Sequence, residues 1–139
     1  MITPAQSRAA RALLNWSQPE LADASGASVS TIRDFETGKR VPIANNLAAL
    51  RSALEAAGVI FVAQNGEGPG VRLRKIRPGV KVRLVNGTSV WGQYQHLKDK
   101  AGEVTALVND GTSMPRISVA YDGEPVFVGM DTGFFELVE

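Results

Sequence analysis

The sequence predicts an α+β fold, in which an N-terminal all-α bundle of four to five helices precedes a β-hairpin and a small β-barrel. Residues 1–58 hold alanine-rich segments whose apolar residues recur with the helical period. After residue 79, short β-branched runs alternate with glycine. Breaker residues crowd the segments 64–70 (QNGEGPG) and 77–79 (RPG). We therefore predict domains at 1–58 and 80–139, joined by a hairpin and linker at 59–79.

The composition favours a globular protein without catalytic metal chemistry. Hydrophobic residues make up 44% of the 139 residues and charged residues 21%, a normal globular balance. The chain has no cysteine and one histidine, His96, so a thiolate metal site is excluded and little is left for imidazole chemistry. We expect no cofactor and no enzymatic activity. Neither an apolar run of about 18 residues nor a signal-peptide pattern is present, so we expect a cytoplasmic protein without a membrane partner.

The charge is unevenly distributed along the chain. Residues 1–75 carry nine Lys/Arg and six Asp/Glu, a net charge of +3, whereas the remaining residues carry six and eight, a net charge of −2. The overall charge of +1 is too small to indicate a nucleic-acid partner by itself. Any such partner must be inferred from where the cations lie.

Two helix starts follow each other closely in the first part of the chain. Thr3, Pro4 and Gln6 form an N-cap, a first-turn proline and a capping-box partner, and the helix they begin ends near Asn15. Ser17 then caps a second helix, with Glu20 at the capping-box position. The chain must turn sharply between the two helices.

A third helix starts after another tight turn. Gly26 stands at the predicted end of the second helix, where a residue without Cβ can adopt positive φ. Ser28 caps the third helix, and Ile32 and Phe35 form its apolar stripe. The result is helix, short turn, helix.

These residues resemble the helix-turn-helix of the phage repressor and Cro group, the Xre family. The similarity rests on SQPELA (17–22), Gly26, Ile32 and FETGKRVP (35–42). It spans roughly residues 3–58 and includes a fourth helix that carries leucines on one face and stops at Gly58. The resemblance implies that helix 28–36 enters the major groove of double-stranded DNA while the second helix lies across the backbone.

Local chemistry suggests which side chains would touch DNA. Gln18 opens the second helix, whose free amides suit a phosphate, and Arg33 has the reach to bind a guanine bidentately. Lys39 and Arg40 in the turn after the third helix, and Asn45 and Asn46 at the start of the next one, are placed to hold adjacent phosphates. The predicted DNA-binding set is Gln18, Ser28, Ser30, Thr31, Arg33, Asp34, Lys39, Arg40 and Asn45.

Three features leave alternatives open. The family often places long amides early in the third helix, whereas Val29 and Ser30 are short, so readout there is weaker or depends on methyl contacts and water. Arg33 can also pair with Glu36 or Asp34 as a solvated surface charge. Lys39 and Arg40 can be solubilising turn charges.

The pattern of residues 59–139 predicts β structure. A hairpin is predicted from Val59–Ala63 and Val71–Arg74, and exposed edges of such a hairpin can pair across a dimer axis. Four to six further strands are predicted among the segments 80–85, 89–94, 102–108, 116–123, 124–129 and 133–139. They are similar to an SH3-like barrel of the KOW or Tudor type, which implies binding through loops and aromatic grooves. Trp91, Tyr94 and Tyr121 are the candidate partner-binding residues, although aromatic residues in so small a barrel are mostly core.

The resemblance implies a sequence-specific DNA-binding transcriptional regulator that acts as a repressor, a homodimer on a pseudo-palindromic operator. The second hypothesis is an antitoxin-like interaction module. Its barrel would bind a partner protein, and its helices would autoregulate the protein's own gene. An enzyme is disfavoured because Asp99, Asp110, Asp122 and Asp131 all fall in turns, where aspartate is expected for local bonding.

Overall fold

The computed structural model describes residues 1–85, 93–97, 99–108 and 115–138. The chain divides into two compact units, Met1–Arg74 and Lys75–Glu139. Among the described residues, no helix is both long enough and apolar enough to cross a bilayer.

Four α-helices and a hairpin form the first unit. The helices are α1 (Pro4–Leu14), α2 (Gln18–Ser25), α3 (Val29–Glu36) and α4 (Ala44–Ala56), and the hairpin strands are β1 (Val59–Val62) and β2 (Gly70–Leu73). The predicted start and end of α1 are confirmed: Thr3 and Gln6 form both bonds of the capping box, and Asn15 takes the left-handed conformation at φ 57°. The predicted hairpin is also confirmed, with Val59 opposite Leu73.

The core of the first unit lies between the helices and one face of the hairpin. Its buried hydrophobic residues are Ile2, Ala10, Leu21, Ile32, Phe35, Leu47, Leu50, Leu54 and Val59. Gln6 is buried beside this core and donates from Nε2 to the carbonyls of Val62, at 3.4 Å, and Gly70, at 3.0 Å. One side chain therefore caps α1 and fastens that helix to both strands of the hairpin.

The second unit is built on a five-stranded antiparallel sheet. Its strands are β3 (Lys81–Leu84), β4 (Gly102–Val108), β5 (Arg116–Tyr121), β6 (Glu124–Asp131) and β7 (Phe135–Leu137), in the order β6-β5-β4-β3-β7. The alternation predicted for these segments is clearest in β3, whose Val82 and Leu84 are buried while Lys81 and Arg83 face solvent.

The predicted closed barrel is not found. In the sheet formed by the described residues, β6 and β7 are the two edges, so no strand pair closes it. A 3-10 helix at Thr132–Phe134 separates these two strands, and β7, three residues long, pairs with β3 instead. Most of the predicted strand 89–94 lies outside the described residues, and Tyr94 at its end is not in a strand.

Gly102, at the start of β4, lies against the core of the second unit. A Cβ atom placed there would lie 2.5 Å from Val119 Cγ1 and 2.9 Å from Tyr121 Cε2. Both neighbours are buried, with exposed fractions of 0% and 6%. The absence of a side chain at this position is therefore a packing requirement.

We predict that Gly102→Ala lowers the free energy of unfolding of the second unit by about 1–3 kcal/mol, because the added methyl overpacks the core. Hydrogen exchange of the β4 and β5 amides in the full chain would measure the loss. Gly68→Ala is the matched control, since no atom lies within 4 Å of its Cβ position. Unchanged exchange in the Gly102 variant would contradict this packing.

Candidate nucleic-acid interface

The turn between α2 and α3 has the predicted geometry. Gly26 caps α2 at φ 78°, and its amide donates to the Ala22 carbonyl at 2.9 Å. Ser28 caps α3, because its Oγ accepts from the Thr31 amide at 3.1 Å. Only residues 26–28 separate the two helices. The direction of α3 relative to α2 therefore depends on the turn at Gly26.

The two sides of α3 differ in burial. Ile32, Phe35 and Glu36 are buried, whereas Ser30 and Arg33 are exposed. The predicted core role of Ile32 and Phe35 is confirmed. The side turned to solvent therefore carries hydroxyl, guanidinium and carboxylate groups, which are the groups that can bind base edges.

The first turn of α3 carries a cluster of three hydroxyls. Ser28 Oγ lies 3.1 Å from Ser30 Oγ and 2.8 Å from Thr31 Oγ1. Hydroxyl groups rotate, and each can donate one hydrogen bond while accepting others. The cluster can thus reorient toward a ligand without any movement of the backbone. Val29, in the same turn, is 39% exposed.

Asp34 lies between two arginines. Its Oδ1 is 3.9 Å from Arg33 Nε and its Oδ2 is 4.0 Å from Arg40 Nε. The arginine side chains are 61% and 77% exposed, so these pairs are weak and both guanidiniums can leave them. Of the two partners proposed for Arg33, the structure brings Asp34 near it; Glu36 pairs with a different arginine.

The turn after α3 fixes the position of Lys39 and Arg40. Both of their amides donate to the Asp34 carbonyl, at 2.8 and 3.1 Å, and Gly38 has φ 78°. Their side chains are exposed beside the end of α3. Asn45 is exposed in the first turn of α4, which begins after Ile43 without a side-chain cap. The two cations therefore lie beside the exposed side of α3.

Gln18 opens α2 as predicted, but its side chain is engaged inside the protein. Its Nε2 donates to Glu36 Oε1 at 3.1 Å. A carboxamide carries two hydrogens on this nitrogen, so one remains for a phosphate. Gln18 thus joins the start of α2 to the end of α3.

Glu36 is the centre of this contact, with an exposed fraction of 2%. Ser7 Oγ donates to its carboxylate at 2.8 Å, and Arg11 donates from Nε at 2.9 Å and from Nη2 at 2.6 Å. Arg8 donates to the Glu36 backbone carbonyl. Burial would raise the pKa of Glu36, but the hydrogen bonds from Arg11, Gln18 and Ser7, together with the Arg11 charge, hold its pKa below the usual value.

The grouping of Ser7, Arg11 and Glu36 was not predicted from the sequence. One signal was present: Glu36 follows Ile32 by four residues, which places it on the buried side of α3. A carboxylate at such a position requires a cation or several donors. Nothing in the local sequence showed that this cation is Arg11, because 25 residues separate the pair.

The predicted partner-binding aromatics of the second unit do not form an open groove in the described residues. Tyr121 is buried, and its burial raises the pKa of the hydroxyl. Tyr94 packs against the same core, with its ring 4.6 Å from the ring of Phe127. Trp91 lies outside the described residues. Tyr94 and Tyr121 therefore belong to the packing of the sheet.

The aspartates of the second unit have local roles where the structure describes them. Asp99 and Asp122 have positive φ, 62° and 53°, and Asp131 Oδ1 accepts from the Gly133 amide at 2.8 Å. Asp110 lies outside the described residues. No group of three or more His, Asp or Glu residues suited to a metal ion occurs in the part of the chain that the structure describes.

Comparison with known proteins agrees with the geometry of the first unit. Residues 8–56, roughly a third of the chain, match the family model described as helix-turn-helix. The match indicates a DNA-binding regulator. No curated protein matches the chain.

We predict that the Glu36 contact makes the first unit acid-sensitive. The pKa of Glu36 is lower in the folded chain than in the unfolded one, so its ionised form stabilises the fold above about pH 4.3, and this contribution is lost as the pH falls through the folded-state value. Glu36→Gln should lower the free energy of unfolding by about 3–5 kcal/mol at neutral pH, and the difference from wild type should shrink toward pH 3.

Urea unfolding followed by the helical circular dichroism signal measures this difference, since all described α-helices lie in the first unit. Glu67→Gln, at an exposed carboxylate of the first unit outside the helices, is the control. A pH-independent difference between wild type and the Glu36 variant would show that the carboxylate charge contributes nothing.

Proposed function

We propose that the chain is a non-enzymatic, sequence-specific DNA-binding transcriptional regulator that acts as a repressor. The observation that carries this proposal is the composition of the exposed side of α3. Hydroxyls and Arg33 lie along it, and Lys39 and Arg40 flank its end. Long donors beside short hydroxyls suit base edges, and exposed cations at the margin suit phosphates.

In this proposal α3 lies in the major groove and α2 crosses the backbone. Ser17 and Gln18 at the start of α2 hold one phosphate, with the backbone amides and the second Gln18 hydrogen as donors. Lys39, Arg40 and Asn45 hold the next phosphates along the strand. Base specificity then comes from α3 alone, because phosphate contacts fix only its register.

We further propose that the second unit is an open variant of the SH3-like fold and serves dimerisation or a protein contact. Its strand order supports this proposal. Among the described residues, β3 to β6 form an antiparallel meander, and β7 returns beside β3 after a 3-10 helix. The net charge of −2 after residue 75 favours a protein over a nucleic acid as its ligand.

Selection of bound sequences from a random duplex pool tests the function. An enriched palindrome would support both DNA binding and a dimer, because half-site symmetry mirrors protein symmetry. An enriched single half-site would support binding by a monomer. Recovery of no preferred sequence would overturn the regulator proposal, and it would count equally against the autoregulatory role of the helices in the antitoxin-like module.

We predict that Arg33→Ala relaxes specificity at one base pair, because its guanidinium is the longest donor on the exposed side of α3. The cost should be about 1–3 kcal/mol on the selected duplex. Competition binding against a scrambled duplex at one salt concentration measures it. Equal losses on both duplexes would make Arg33 a phosphate contact.

We predict that Lys39→Ala and Arg40→Ala weaken binding to all duplexes and each lower the slope of log K against log salt by about one, because each removes one phosphate contact. Titrations across salt concentrations measure the slope. Arg72→Ala, at an exposed cation on β2, is the control. An unchanged slope in either turn variant would assign that residue to solvent.

A further inference from the structure

Asp34 is the acidic group among the cations that surround the exposed side of α3. Arg33 and Arg40 lie 3.9 and 4.0 Å from its two oxygens, and the carboxylate side chain is 17% exposed. An acidic side chain at a DNA-binding surface repels the phosphates, so it weakens binding unless it makes a favourable contact of its own. The two flanking guanidiniums partly neutralise the carboxylate and so reduce this repulsion.

Asp34 lines a pocket of about 250 Å³ between α3 and the segment that leads into α4. Ser30 and Thr31 line the α3 side, and Asn46 lines the α4 side. Val41 and Ile43 also line it, with exposed fractions of 74% and 69%. A group that approaches the exposed side of α3 can therefore reach the carboxylate.

The oxygens of this carboxylate are available as acceptors. In the part of the chain that the structure describes, Lys39, Arg40 and Thr37 donate to the Asp34 backbone carbonyl, and no donor lies within hydrogen-bonding distance of its carboxylate. The two arginine contacts are longer than hydrogen bonds. The arginines therefore neutralise the Asp34 carboxylate only in part, and its oxygens can still accept hydrogen bonds.

Only two bases offer a donor in the major groove, cytosine through N4 and adenine through N6. Adenine places its N7 acceptor beside the donor, which repels the second oxygen of a carboxylate. Cytosine has no acceptor beside N4, so it matches a group that only accepts. We propose that Asp34 determines specificity by accepting a hydrogen bond from the amino group of a cytosine. This inference rests on the proposed function of α3.

Parallel selections with the wild-type chain, Asp34→Ala and Asp34→Asn test the proposal. We expect a C·G pair at one position of the wild-type site, and its replacement by T·A should weaken wild-type binding about tenfold. The same replacement should change binding by the alanine variant less than twofold. The asparagine variant should favour adenine there, because a carboxamide pairs with N6 and N7. Asp23→Ala, at an exposed acid on α2, should keep the wild-type preferences.

Two outcomes would overturn the inference while leaving the proposed function intact. An alanine variant with the wild-type consensus and uniformly tighter binding would show that Asp34 is only an opposing charge. Loss of preference at the base pair read by Arg33 would make Asp34 a positioning residue for that arginine. Failure of the wild-type chain to select any sequence would instead overturn the function itself. Circular dichroism of each variant confirms that it is folded.

Discussion

The buried carboxylate of Glu36 is the constraint on which the first unit depends. It lies at the end of α3 and receives hydrogen bonds from Ser7 and Arg11 of α1 and from Gln18 of α2. A buried charge without partners is strongly destabilising, so the native arrangement must bring all three helices to this point. Apolar packing alone tolerates sliding between helices, whereas donors with fixed geometry tolerate little. The contact thereby sets how α2 and α3 lie against each other.

The charged residues at α3 accordingly fall into a buried group and an exposed group. Glu36 and Arg11 are satisfied inside the unit, whereas Arg33 and Arg40 are exposed beside the hydroxyl cluster and Asp34 lies between them. Their mutual contacts are long and exposed, so they cost little to exchange for contacts with a ligand. The unit thus combines a rigid interior with exposed side chains that can reorient.

The second unit is organised by strand register. Val82 pairs with both Gly102 of β4 and Leu137 of β7, so β3 is the strand that joins the first and last parts of the sheet. Exposed ion pairs cross the same strands, from Lys81 to Glu103 at 3.2 Å and from Arg83 to Glu136 at 2.6 Å. Such pairs add modest stability but disfavour a shifted register, in which buried and exposed residues would exchange faces.

The local features of the chain were determined by the sequence alone. Caps at Thr3 and Ser28, the glycine turn at Gly26 and the alternation in β3 are confirmed, because each depends on residues within a few positions of one another. Only the tertiary structure decided what joins distant segments: the pairing of Arg11 with Glu36, the fastening of Gln6 to the hairpin, the burial of Tyr121 and the open edges at β6 and β7. These depend on which donors, rings and strands meet after the chain has folded. Spacing along the sequence does not encode such meetings, since a long loop constrains its ends only weakly.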